Sequence, residues 1–327
     1  LWLPETAVDE ETLDVLAAEG VRFTILAPHQ VEAPEPGGDV LTFRAANGRA
    51  IALCTYDGTL SAGVAFGKLL EDGSLFANRL APPRAPASPV GASRLTALAT
   101  DGETFGHHHK FAEMGLARAL AIVESQHRSR VENFASLLAR NPAQRAAKLN
   151  APSSWSCPHG VERWRSNCGC HFTAGTNQEW RGPLRAALDW LAAQLDMRIS
   201  AEGPQLLNDP LIALDEYGSV AALAQQEIDV FVQRFASGSV ERAAQLLDAT
   251  QARMGMFGSC AWFFDDIGGH EAVLMLRIAA YAIDRLGAGA IEDEFVRRLA
   301  LAKSNYSAIG DGAVVYRKLV LPAREGV

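Results

Sequence analysis

Two carboxylates carry the chemistry that this sequence offers. Glu5 closes the string Trp2-Leu3-Pro4-Glu5, and Asp101 opens Asp101-Gly102-Glu103-Thr104-Phe105-Gly106, which runs on into His107-His108-His109. Each acid stands where an apolar stretch ends. Two carboxyl groups held across one cleft can break a glycosidic bond. One gives a proton to the leaving oxygen, and the other attacks or stabilises the cationic sugar centre. Retention of configuration needs the carboxyl groups about 5–5.5 Å apart, inversion about 6.5–9.5 Å. The acid must keep its proton near neutral pH, so Asp101 needs desolvation or a neighbouring negative charge. Glu103 is spaced to supply that charge, or else it is a solvated helix-start residue. For Glu5 and Asp101 the competing reading is structural, since a helix N-terminus also favours an acid.

Other residue types gather near these two. Of His107, His108 and His109, one is expected to face the cleft and bond the sugar or Asp101, with exposed helix-start histidines as the alternative. His29 ends an apolar stretch, as does Asp57, where Asp57-Gly58 also reads as a turn. Asp101 with two histidines is also a donor set for a divalent metal, the chemistry of a carbohydrate deacetylase. Cys157, His159, Cys168, Cys170 and His171 crowd one short stretch. Four such donors, Cys157, His159, Cys168 and Cys170, could satisfy tetrahedral zinc, although the one-residue spacings are tighter than the usual two to four. Reduced thiols in a Gly-rich loop and a disulfide are the other readings, and no metal or cofactor is assigned. Trp155, Trp164 and Trp180 share that stretch. Trp155 is the expected sugar contact and Trp180 a buried anchor. Trp262-Phe263-Phe264 reads as core, with Asp265 or Asp266 capping the next helix.

The elements that must position these groups alternate along the first part of the chain. Asp9 to Glu19 is helical, with acids in the first turn and Gly20 closing it. Leu1 to Leu3, Val21 to Ala27, Arg49 to Tyr56 and Arg94 to Thr100 read as strands or strand ends. Gly58 to Asp72 is a helix, the stretch before Arg49 is a Pro/Gly-rich loop, and Pro82 to Pro89 is a connector. Such alternation implies parallel strands with crossover helices, with reactive groups at the carboxyl ends of the strands. Glu5, His29, Asp57 and Asp101 all fall at such ends. After His107 the pattern is helical: Lys110 to Arg128, Val131 to Arg140, Pro183 to Asp196, Leu206 to Tyr217, Val220 to Ala236, Val240 to Met254, His270 to Arg285 and Ile291 to Lys303. Residues 150–181 form a loop rich in Cys, Trp, Gly and Ser.

Composition sets the outer bounds. A 327-residue chain that is 48% hydrophobic can bury a large core. Net charge is −8 with no basic cluster, which excludes an electrostatic nucleic-acid surface. The apolar runs are too short to span a bilayer. Five cysteines make no disulfide framework, and a reducing, cytoplasmic compartment is expected.

Trp2-Leu3-Pro4-Glu5 and Asp101-x-Glu103-x-Phe105-Gly106 resemble the catalytic motifs of glycoside hydrolase family 57, retaining α-glucan-active enzymes on an incomplete (β/α)7 barrel. The resemblance makes Glu5 the nucleophile and Asp101 the general acid/base, with Trp2, His29, Glu103, His107, His108 and Trp155 around the substrate. His stands here where that family usually has aromatic residues. The stretches Ser154 to Trp164, Cys168 to Cys170 and Ser259 to Ile267 resemble the domain of unknown function 3536. Together they imply an α/β fold: the second half of a barrel over 1–128, its first half lying upstream, then a helical domain over 129–327. The implied substrate is an oligo- or polysaccharide, either hydrolysed or transferred. The alternatives are a non-catalytic carbohydrate-binding or regulatory protein and a metal-dependent deacetylase. Oligomeric state is not legible.

Overall fold

The computed structural model describes residues 1–46, 48–82, 95–126 and 129–324. The chain forms two compact units, Leu1–Gly160 and Val161–Val327.

In the first unit, Asp9 caps helix α1 (Glu10–Ala18) by accepting from the Thr12 amide at 2.8 Å. Gly20, at φ 78°, turns the chain toward strand β1 (Phe23–Leu26). Strand β2 (Gly38–Arg44) and strand β3 (Ala50–Tyr56) make an antiparallel hairpin running from Gly38↔Tyr56 to Arg44↔Ala50. β1 lies parallel to β3, with Leu26 opposite Thr55. A two-residue strand β4 (Arg145–Ala146) pairs parallel with β2, giving the order β1-β3-β2-β4.

This mixed α/β sheet departs from the expected all-parallel alternation at two places. The Pro/Gly-rich loop before Arg49 contains β2, whose Val40-Leu41-Thr42-Phe43 core is strand-forming. Leu95–Thr100 joins no strand; it is an extended segment tied by Ala97, whose carbonyl accepts from Asp57 N and whose amide donates to Gly37 O. Leu1–Leu3 is likewise outside any strand. Arg94 and most of the Pro-rich connector lie outside the described residues.

Helix α2 (Gly58–Ala65) is capped by Asp57, and α3 (Gly73–Leu80) by Asp72. Helix α4 (Ala112–Ser125) packs on α3, and α5 (Phe134–Arg140) is capped by Asn133. The expected long helix from Gly58 to Asp72 therefore stops early: Gly67 breaks it, and a Leu69–Glu71 turn leads into α3. The sheet core includes Leu13, Leu26, Leu41, Ile51 and Leu53, at most 1% exposed. Each such burial stabilises by about 1.5–3 kcal/mol.

Among the described residues the second unit is helical. Its long helix α6 (Arg181–Leu206) buries Leu184, Leu188, Leu191, Leu195 and Ile199, a stripe at three- and four-residue spacing. Around it stand α7 (Pro210–Tyr217), α8 (Gln225–Phe235), α9 (Val240–Gly255), α10 (His270–Arg285) and α11 (Gly289–Leu299), followed by short turns from Gly312 to Arg324. No helix among the described residues is long and apolar enough to cross a membrane.

Candidate active site

Glu5 sits in a tight turn, Pro4–Thr6, with a backbone that non-glycine residues rarely adopt. Its φ is 58° and that of Thr6 is 47°. Each left-handed residue costs roughly 1–2 kcal/mol, so the surroundings must over-determine the turn. The buried amide of Gln30 does so. Its Oε1 accepts from Thr6 Oγ1 at 2.8 Å and from Ala27 N at 2.9 Å. Its Nε2 donates to Thr6 O at 2.8 Å and Ser153 Oγ at 3.2 Å. A backbone bridge between Val8 and Ser153 and a bond from Trp155 N to Glu5 O complete the clamp.

The Glu5 carboxylate is held in turn. Ser156 Oγ donates to Oε2 at 2.6 Å and Trp155 Nε1 donates to the same oxygen at 3.1 Å. Both bonds end on Oε2, so Oε1 faces away from them. The half-buried Trp155 ring meets Trp2 edge to face with centroids 4.9 Å apart, and Trp2 is 39% exposed. An exposed aromatic beside a fixed carboxylate is a surface on which a sugar ring can stack.

Two of the residues singled out in the sequence, His29 and Asp57, follow neighbouring strands. β1 and β3 are parallel, so Pro28-His29-Gln30 and Asp57, which follow them, leave the same edge. Gly58 is packed there: an added Cβ would stand 3.2 Å from Pro28 Cγ. His29 is exposed, and its Nε2–H donates to Ser154 O at 2.9 Å, beside Trp155. Asp57 spends its carboxylate on the Leu60 amide, 2.9 Å away. Ala27, Tyr56, Ala97, Ala99 and Trp155 share one small apolar cluster, so the Trp155 that holds Glu5 packs with the segment leading to Asp101.

Asp101 is exposed and begins the turn Gly102–Thr104 without capping it through its side chain. Thr100 and Thr104 bond across that turn at 3.0 Å. The exposed Glu103 takes both His107 N and His108 N on its carbonyl, and these two exposed rings lie 5.0 Å apart. His109 instead anchors to Ala65 O at 2.9 Å. Among the described residues Asp101 and the histidines do not gather as metal donors. His171 bonds Thr173 O at 3.0 Å.

Sequence reasoning missed Gln30 and Ser156. A lone Gln after His29 and a Ser between Trp and Cys carry no spacing signal; they become readable only once residues 150–160 fold back on the Glu5 turn. Asp265 and Asp266 do not cap α10, whose N-cap is Gly269. Asp265 accepts from Phe172 N and Thr173 N, and Asp266 from Ser304 Oγ and Asn305 N, so both carboxylates satisfy loop donors rather than the helix start. Trp180 is fully buried, donating to Asp265 O at 3.1 Å.

Comparison with known proteins adds two findings. Residues 176–327 match the model of a domain of unknown function, DUF3536. Among solved structures the chain resembles an exo-type maltose-forming amylase from Pyrococcus sp. ST04, with a TM-score of 0.71 at 13% identity. The match covers 92% of this chain and 57% of the amylase, so the chain spans little more than half that enzyme's length. No curated protein matches the sequence. At this identity the likeness shows shared architecture: the chain has an amylase-like α/β fold.

Proposed function

We propose that this chain is a retaining, family 57-type glycoside hydrolase or glycosyl-transferring enzyme acting on α-glucan or a related oligosaccharide. The observation that carries the reading is the setting of Glu5: a strained turn clamped by Gln30, with the carboxylate aimed by Ser156 and Trp155. Strain of this kind collects at functional sites. The amylase-like fold and the DUF3536 match support the same reading.

In this scheme Glu5 Oε1 attacks the anomeric carbon while Asp101 gives its proton to the departing glycosidic oxygen. The C–O bond breaks as the Glu5–sugar ester forms. Water, or another sugar hydroxyl, then attacks the ester. Asp101 takes its proton, and Glu5 leaves as carboxylate. Trp2 and Trp155 stack the sugar, and His29, Glu103, His107 and His108 bond its hydroxyls. The bound glycan covers the exposed Asp101 and dries it at the moment it must hold a proton.

One observation favours a second reading. Asp101 is exposed and makes no side-chain cap, which also suits a glycan-binding protein without turnover. Product chromatography on α-linked oligosaccharides, with Glu5→Gln and Asp101→Asn beside the parent, separates the two. Asp101→Asn is expected to lower kcat by about 10²–10⁴-fold, and Glu5→Gln to stop it. Glycan binding that is identical in parent and variants, without products from any of them, leaves the binding protein standing. Release of acetate from acetylated glycans with the chain length intact would point to the deacetylase.

A further inference from the structure

We propose that the groove between the Leu69–Glu71 turn and the start of α4 is a subsite for a glucan chain, with the Phe111 ring as its stacking face. The proposal rests on the reading of the Asp101 turn as sugar-facing and extends that site onto residues outside it. The groove has a volume of about 360 Å³ and is lined by Lys68, Leu70, Glu71, Lys110, Phe111 and Met114, among others. Sites for small ligands span about 300–1,000 Å³. A protein partner needs a broad face instead, about 800 Å² on each side.

Phe111 is placed there at a cost. It stands just before α4 with φ 64° and ψ 13°, a left-handed backbone that is an outlier for a bulky side chain. Its ring is 76% exposed, so burial does not offset the strain. Strain that packing does not explain collects at ligand sites. Both walls of the groove are fixed. His109 Nε2 donates to Ala65 O at 2.9 Å, which ties the Asp101 turn to the end of α2. On the other side Gly115 lets α4 meet the Leu69–Glu71 turn, because a Cβ there would lie 2.2 Å from Leu70 O.

The chemistry of the lining selects a sugar. Phe111 and the exposed Met114 give an apolar surface, and the exposed Phe66 stands next to Gly67 in the wall. Lys68, Glu71 and Lys110 give it a charged rim, with Lys68 and Glu71 3.9 Å apart and both exposed. A sugar ring has the matching pair of surfaces, an apolar C–H face for the aromatic ring and an edge of hydroxyls for the charges. An apolar occupant would cover the rim charges without bonding them, which is costly. The position also suits a chain that has already met the Asp101 turn. His107 and His108 lie three and four residues before Phe111. Bonds from Gly106 N to His109 O and from His109 N to Thr104 O hold the stretch between as one folded unit. A glucan seated at His107 and His108 therefore continues onto Phe111 as it lengthens.

The test is binding by the full chain of thio-linked maltose and maltoheptaose, which resist hydrolysis, so the result does not depend on turnover. The parent is expected to bind the longer probe more tightly. Phe111→Ala is expected to raise the Kd for maltoheptaose roughly 3–10-fold, the worth of one aromatic stack, and to leave maltose unchanged. Phe111→Tyr keeps the platform and the parent affinity. Phe111→Gly fits the left-handed backbone without strain, so it is expected to melt no lower than the parent and still to lose affinity for maltoheptaose. That pairing separates loss of the ring from loss of the fold. Parent affinity for maltoheptaose in Phe111→Ala, or an equal loss for both probes, overturns the subsite and leaves the glycosidase reading intact. A parent that binds neither probe overturns the glucan reading and the subsite together. A parent that dimerises in sedimentation, with Phe111→Ala monomeric, assigns the groove to a second copy and overturns the proposal.

Discussion

At the scale of single residues, Gln30 and Ser156 are the side chains on which the Glu5 site rests. Gln30 is 0% exposed and satisfies four partners. Gln30→Ala strands the Thr6 carbonyl and the Ala27 amide in a buried place. Each stranded group costs about 1–3 kcal/mol, so urea unfolding is expected to show a loss of at least ~2 kcal/mol. A loss under ~0.5 kcal/mol, the level of a bland surface change, would mean that water replaces the amide and that the turn does not depend on it. Ser156→Ala acts differently. It deletes the 2.6 Å bond to Glu5 Oε2 and leaves Trp155 in place. Hydrogen bonds to charged groups are worth about 1.5–3 kcal/mol. The expected result is a fall in kcat/KM of roughly 10–100-fold, with the melting temperature near that of the parent. An unchanged kcat/KM would detach Ser156 from the chemistry.

At the scale of elements, close approach of α3 and α4 is set by glycine rather than by apolar size. A Cβ at Gly115 would lie 2.2 Å from Leu70 O, in the turn that leads into α3. The side chain cannot yield, because the obstacle is backbone. Gly115→Ala therefore has to push the turn off α4, at a cost of about 1–3 kcal/mol despite alanine's better helix propensity. A thermal melt that rises instead would show that the packing relaxes freely. These elements also show what the sequence made legible. Strands β1 and β3 fall inside the expected strands Val21 to Ala27 and Arg49 to Tyr56, and α9 and α10 match Val240 to Met254 and His270 to Arg285, whereas α6 runs past the expected end at Asp196 to Leu206. Strand β2 stayed hidden behind Gly37-Gly38, although Asn47-Gly48 between Phe43 and Ile51 is a strong hairpin signal. Leu95–Thr100 misled in the other direction. It is extended and bonded through Ala97, but it belongs to no ladder, and local sequence cannot report which neighbour an extended segment finds. Residue type singled out Glu5, Asp101 and Trp155, and the structure joins the first and last of these through the bond from Trp155 Nε1 to Glu5 Oε2. The strain at Glu5 and Thr6 was not, since nothing in Pro4-Glu5-Thr6 asks for a left-handed backbone. That conformation is imposed by Gln30 and Ser153 from distant parts of the chain.

At the scale of the whole molecule, each unit has its own core, and in the helical one a single acid ties the irregular stretch before α6 to the turn before α10. Asp265 accepts from Phe172 N at 2.8 Å and Thr173 N at 2.7 Å, while Gln178 Nε2 lies 3.4 Å away. Burial works to raise the Asp265 pKa, but these donors outweigh it and hold the carboxyl below the usual carboxylate range. The sign follows by linkage. The unfolded chain takes up the proton first as pH falls, at about 3.9 for an ordinary Asp. The stabilisation is therefore complete above that pH and is lost as pH falls through the lower, folded value. Acid unfolding followed by circular dichroism is expected to show stability dropping below about pH 4. Asp265→Asn removes the titrating group and presents one acceptor oxygen in place of two. It is expected to cost about 1–3 kcal/mol at pH 7 and to flatten the Asp265 share of the acid limb. An Asp265→Asn chain as stable at pH 7 as the parent, with an identical acid limb, would show that other contacts hold the stretch before α6 without this carboxylate.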